Sequence, residues 1–188
     1  DPTTMRSMRN QVDRLARLSA DLRKLTDLEI QPLEMDEVDL PALLSELVEA
    51  AQDRPDAAHR RISLGLPQAP WPLPPLPGDR DLLFLAFHNL IDNAFKFSGE
   101  GATIEIRAYE DGSDVAVEVA DTGPGVPPEE LPHLGEELYR GSSAVGVEGS
   151  GLGLALVRAI ISRHGGTLSI RSRPGRGTVV NVRLPGAR

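Results

Sequence analysis

The sequence predicts an α+β fold, a two-layer α/β sandwich of helices on a mixed, mostly antiparallel sheet, preceded by an N-terminal helix. Two observations carry this. Residues 103–109, 115–120, 167–173 and 178–184 alternate apolar with polar side chains, as strands half-buried on one face do, and Asp111-Gly112 and Pro174-Gly175 punctuate them as turns. Interspersed with these strands, residues 79–97 and 150–164 are apolar stretches of helical length, so helices and strands share one core.

From the N-terminus, Met5, Met8, Val12, Leu15, Leu18, Leu22, Leu25 and Leu28 recur at spacings of three and four among charged residues. This near-heptad stripe predicts a helix over 5–28 that needs a partner helix, expected from another chain or from sequence outside residues 1–188. Residues 30–39 read as a connector interrupted by Pro32. Asp39 then caps a helix with Pro41 in its first turn, running to about residue 53 with Leu43, Leu44, Leu47 and Val48 on one face. Residues 61–66 alternate as a short strand. The six prolines within 67–77 exclude regular helix and central strand, and a stiff connector is preferred there over a polyproline docking segment. Gly165-Gly166 closes the last helix. The division expected is a partial dimerisation helix at 1–30, a linker at 31–38 and a catalytic domain at 39–188.

Composition narrows the function classes. The 188 residues carry a net charge of −8, which disfavours a broad nucleic-acid surface. Without cysteine there can be no disulfide, thiolate metal site or cysteine nucleophile. No apolar run has the length of a membrane span and no signal-peptide pattern opens the chain, so a soluble, cytoplasmic domain without membrane contact is expected. Asp1 in place of an initiator Met suggests a piece of a longer protein.

Three elements carry chemistry. Asn89, Asn93 and Lys96 fall at i, i+4 and i+7 of one helix and share a face, while Leu90, Ile91 and Ala94 serve the core. Amide oxygens can ligate a hard cation such as Mg²⁺, and an ammonium can meet phosphate oxygens, so Asn89 and Asn93 are the candidate metal ligands. Next, Asp121-Thr122-Gly123-Pro124-Gly125 follows a strand. A carboxylate there can accept from the exocyclic amine of adenine, and Gly123 and Gly125 would let a flat base approach the backbone. Last, Gly149-Ser150-Gly151-Leu152-Gly153-Leu154 runs into a helix, leaving bare N–H groups for an anion. It follows no strand directly and its spacing is wrong for a dinucleotide fingerprint.

In this order the three elements resemble the N box and two glycine boxes of the catalytic ATP-binding domain of sensor histidine kinases, which has the Bergerat fold of the GHKL superfamily. The resemblance covers most of the chain. It implies ATP and Mg²⁺ as cofactors, a catalytic set of Asn89, Lys96 and Arg140, and nucleotide contacts from Asn93, Asp121, Gly123, Gly125, Gly149, Gly151, Leu152, Gly153, Leu154 and Thr178. Residues 124–149 correspond to the ATP lid, and residues 22–44 resemble the second dimerisation helix and its exit. Gyrase-like and chaperone ATPases of the same superfamily have a glutamate where this chain has Asn89. An amide cannot serve as general base, so the resemblance implies a phosphoryl donor's site in place of a hydrolase's.

Two departures from the pattern stand out. The lid lacks the phenylalanines that normally precede Tyr139-Arg140-Gly141, which leaves Arg140 either a phosphate contact or a solvated loop charge. None of His59, His88, His133 and His164 has the acceptor sequence. His88 is expected to be structural, and His164 to interact with a helix C-terminal dipole. The acceptor helix is therefore expected upstream of Asp1, in a homodimer with a second protomer, acting on a response regulator. The alternative is a nucleotide-binding pseudokinase or scaffold with a degenerate lid.

Overall fold

A computed structural model describes residues 1–134 and 152–187. The elements are α1 (Pro2–Ile30), β1 (Asp36–Val38), α2 (Leu40–Gln52), β2 (Arg61–Gly65), β3 (Leu76–Gly78), α3 (Arg80–Ser98), β4 (Thr103–Asp111), β5 (Asp114–Asp121), α4 (Gly153–Arg163), β6 (Thr167–Arg173) and β7 (Gly177–Pro185). Short 3-10 turns occupy Pro55–His59 and Leu131–His133. The start of α4 expected at Ser150 lies outside the described residues, as do Tyr139, Arg140, Gly141, Gly149 and Gly151.

The main sheet has the order β2-β4-β5-β7-β6, with only the β2–β4 pair parallel. Both expected hairpins are present, β4–β5 closing at Asp111↔Asp114 and β6–β7 at Arg173↔Gly177. Ile104, Ile106, Ala108, Val117 and Val182 turn inward and meet Leu43 and Leu44 of α2, Phe87 and Leu90 of α3, and Val157 and Ile160 of α4 in one core. Each large side chain so buried contributes roughly 1.5–3 kcal/mol. The opposite face carries Glu105, Arg107 and Arg171, in contact with water.

A second sheet was not legible in the sequence. β1 pairs antiparallel with β3, Glu37 opposite Pro77, so part of the expected linker at 31–38 is a strand and the proline-rich segment ends in one. Proline is tolerated because the ribbon is two-stranded and short, an edge position by construction.

The helix caps decide how α1 meets the rest. Asp79 caps α3 through Oδ1 to the Leu82 N–H (3.2 Å), and its Oδ2 accepts from the Glu34 N–H of the connector (3.0 Å). The Asp79 N–H donates to His164 Nε2 at 2.9 Å, while His164 Nδ1 lies 2.8 Å from Ile160 O. Buried His164 thus bridges α4 and α3 through its two ring nitrogens, one of them set against a carbonyl of the last turn of α4, at the helix end where a C-terminal interaction was expected. His88 is exposed on α3 and packs no core, which corrects its expected structural role. Along α1, Met5, Met8, Val12 and Leu15 are 63–72% exposed, whereas Leu28 is buried. The far end of the stripe thus meets this chain's own α4, where Arg163 Nη1 donates to Leu28 O and Gln31 O.

Candidate nucleotide site

α3 presents Asn89, Asn93 and Lys96 as the helical spacing requires. The Asn89 Nδ2 donates to Leu85 O at 2.9 Å, one turn back, which turns Oδ1 the other way. That oxygen faces the start of α4: a Cβ on Gly153 would lie 3.5 Å from Asn89 Oδ1 and 3.8 Å from Asn93 Oδ1. Residues 64 apart in sequence, Asn89 and Gly153, are thus brought side by side, and the lack of a side chain at 153 keeps the amide oxygens open. The N-cap residue of α4, Leu152, makes no side-chain cap bond, and the N-terminal N–H groups of this helix point toward the same region. Among the described residues there is no cluster of three or more His, Cys, Asp or Glu that could hold a metal.

Lys96 is held in an ion-pair network on α3. Its Nζ pairs with Asp92 Oδ2 at 2.9 Å, and Asp92 Oδ1 accepts from Arg54 Nη1 at 3.0 Å. Arg54 also binds Asp56 in a fork at 2.9 and 3.0 Å and lies 4.4 Å over the Phe95 ring. Burial pushes the Asp92 carboxyl up, but the bonds from Lys96 and Arg54 outweigh it and hold Asp92 below its ordinary value. Lys96 therefore sits on the amide face with its charge already partnered.

Asp121 ends β5, half-buried, its Oδ1 accepting from the Gly123 N–H at 2.9 Å. Burial raises this carboxyl above its ordinary value, and the backbone bonds from Gly123 and Thr178 oppose the rise without cancelling it. Thr178 is its register partner on β7.

The two glycines after Asp121 also meet backbone from other elements. A Cβ on Gly123 would come within 2.7 Å of Ser98 Cα and 2.9 Å of Phe97 O, so the loop packs directly on the end of α3. Gly125 has φ +74 and a Cβ there would run into Arg173 O. Both close approaches need a residue without a side chain. Pro124 O accepts from the Gly175 N–H at 2.7 Å, and Val126 N–H donates to Ser172 Oγ at 2.7 Å, fastening the loop to the β6–β7 turn. Ser172, assigned no role from sequence, is the hub of that fastening. The Ser-x-Pro-Gly-x-Gly-Thr run at 172–178 was its only trace.

Leu152 is fully buried, so its side chain belongs to the core and only its backbone can reach a ligand. Leu154 is half-buried against the same core. Asn89, Asn93 and Gly153 thus lie together where α3 faces the start of α4, while Asp121 and Thr178 pair on the sheet and the loop after Asp121 packs on the end of α3 at Ser98. The expected contacts from Gly149, Gly151 and Arg140 lie outside the described residues.

The fold is a helix-on-sheet sandwich in which amide oxygens face a helix start and a half-buried carboxylate ends a central strand. Residues 78–188 match the histidine kinase-, DNA gyrase B-, and HSP90-like ATPase family, and the chain belongs to it. The phosphate regulon sensor protein PhoR of Pseudomonas aeruginosa is 36% identical over 93% of this chain and 39% of that protein. The histidine kinase AdeS of Acinetobacter baumannii superposes with TM-score 0.76 at 26% identity, covering 100% of this chain and 86% of that one. Full-length ShkA in complex with AMPPNP gives TM-score 0.81 at 28% identity, covering 99% of this chain and 39% of that one. Within the family, then, the chain is a catalytic ATP-binding domain of the sensor-histidine-kinase kind. Its relatives carry kinase names, which weighs against the scaffold alternative. Among the described residues, no helix is long and apolar enough to cross a membrane.

Proposed function

We propose that this domain binds Mg²⁺-ATP and donates the γ-phosphoryl group to a histidine outside residues 1–188. The observation that carries the reading is the Asn89 amide, its Nδ2 tied to Leu85 O and its Oδ1 open toward Gly153 and Asn93. Hard amide oxygens fit Mg²⁺, which when bound would neutralise phosphate charge. The N-terminal end of α4 suits the phosphates, and Asp121 suits the amine of adenine. An amide takes no proton from water, so Asn89 leaves ATP unhydrolysed until an imidazole nitrogen is brought in line. A P–N bond then forms as the bond to the bridging oxygen breaks, and ADP departs.

The exposed stripe of Met5, Met8, Val12 and Leu15 is suited to an acceptor helix and a second protomer in a helical bundle, with a response regulator as the final acceptor. On this reading the domain works in the cytoplasm, where ATP is supplied.

Titration calorimetry with Mg²⁺-ATP tests the site. Wild type should bind, and Asn93→Ala and Asp121→Ala should lose most of the affinity. Added to a separate domain carrying an acceptor histidine, the chain should transfer acid-labile phosphate to it. No binding by wild type, or acid-stable phosphate on the chain itself, would overturn the proposal.

A further inference from the structure

Ser172 makes three bonds with one hydroxyl. Its Oγ accepts from the Val126 N–H (2.7 Å), reaches Gly177 O (3.0 Å) and lies 2.9 Å from Thr178 Oγ1. Gly177 O can only accept, so the single Ser172 proton goes there. With that proton on Gly177 O, the bond between the two hydroxyls, in which either oxygen can donate, runs from Thr178 to Ser172. Thr178, the register partner of Asp121, is left with lone pairs alone to show the site. Asp121 is likewise an acceptor when ionised, with Oδ1 already engaged by Gly123.

We infer that Ser172 is a specificity-determining positioning residue: by fixing the proton of Thr178 it makes the base end of the site acceptor-only. Such a site takes a purine with a 6-amino donor and opposes one with a 6-oxo group, because two facing acceptors leave both unpaired. Ser172 itself touches no nucleotide. It acts through the rotor of Thr178, and through Val126 it holds the loop that carries Asp121. The inference rests on the nucleotide reading of this site and names the determinant of its base preference.

The test compares ATP with inosine triphosphate, which differs at the 6 position, and uses tripolyphosphate as a competitor that lacks a base. In Ser172→Ala the Thr178 hydroxyl has lost its acceptor and can turn toward the ligand. ATP affinity should fall about threefold to tenfold, the worth of one hydrogen bond, while inosine triphosphate is held as well or better. The preference for ATP should drop about tenfold, with tripolyphosphate unchanged. Ser172→Thr, which keeps the hydroxyl, should restore the preference. On a Thr178→Val background, Ser172→Ala should cost no further selectivity, because both act through one group. Should Ser172→Ala fail to fold, the near-isosteric Ser172→Cys should still show a reduced preference. An unchanged ratio in the folded variant, or additive losses in the double variant, would overturn the inference while leaving the ATP site standing. A wild type that binds no ATP would remove both.

Discussion

The Lys96 ammonium sits 2.9 Å from Asp92 Oδ2, one turn back along α3, so its charge is already partnered. Asp92→Asn should release it. Hydrogen bonds to charged groups are worth about 1.5–3 kcal/mol, and losing the Arg54–Asp92–Lys96 network should cost about 2 kcal/mol at neutral pH. ATP should bind about threefold more tightly as Lys96 turns to phosphate, the effect expected of one exposed charge contact. The pH dependence has a definite sign. The Asp92 carboxyl is held below 3.8 in the fold, so the network contributes fully above that value and is lost as pH falls through the lower one. Wild type and variant should therefore converge in acid melts. A gap that persists there would show that Asp92 matters by shape alone.

Asp121 has the opposite sign. Its carboxyl is raised by burial, so the stabilising form is the protonated one, present at low pH and lost as pH rises through the folded value. At neutral pH the empty domain bears an uncompensated cost. Asp121→Asn should keep or raise the melting temperature of the ligand-free protein. It should also weaken ATP about tenfold to a hundredfold, the worth of a charge-assisted bond. Melts with and without Mg²⁺-ATP separate the two effects, and a variant that loses stability without ligand would contradict the burial argument.

Gly125→Ala and Gly175→Ala both place a side chain at positive φ, +74 and +75. Only at Gly125 would the new Cβ meet backbone, at Arg173; at Gly175 it meets nothing within 4 Å. The second substitution should cost about 1–2 kcal/mol of backbone strain, and the first clearly more, with ATP binding lost as the loop lifts off Ser172. Equal losses in chemical denaturation would mean the loop is not seated on the β6–β7 turn.

What sequence made legible here was whatever has a long period or a fixed spacing. The stripe of α1, the face shared by Asn89 and Asn93 and both hairpins could be read because a helix or a ribbon repeats its pattern several times. β1 and β3 could not, being three residues each, one with a proline, and stabilised by a partner some forty residues away. The packing of the glycines after Asp121 was not legible, because their close neighbours, Ser98 and Arg173, come from other elements. Lys96 was placed on the right face, yet its partner Asp92 also lay in plain view at i−4, and Arg54 arrives only through the fold. His164 and Asp79 show the same limit: each read as an ordinary helix end, and neither suggests the other.

Arg163 offers a prediction about how the domain holds α1. Its guanidinium donates to Leu28 O and Gln31 O, the last carbonyls of a helix that has no basic residue in its own final turn. Those carbonyls would otherwise be left to water, and the positive charge also suits the negative end of the helix dipole. Glu34 N–H is tied to Asp79 and Asp79 to His164, so the exit from α1 is fixed at two points, both reached from the C-terminal end of α4. The nucleotide site lies at the other end of the same helix, at Gly153. Arg163→Ala should therefore separate the two ends. Amide exchange over 25–31 should quicken by roughly tenfold, as the loss of about 1–1.5 kcal/mol of local stability implies, while ATP affinity stays within twofold. His164→Gln is the sharper companion, since its amide cannot span from Ile160 O to the Asp79 N–H in the geometry of a ring; it should loosen the N-terminus of α3 as well as the connector. If exchange in α1 is untouched by either change, the buried Leu28 holds that helix end without help from the polar bridge.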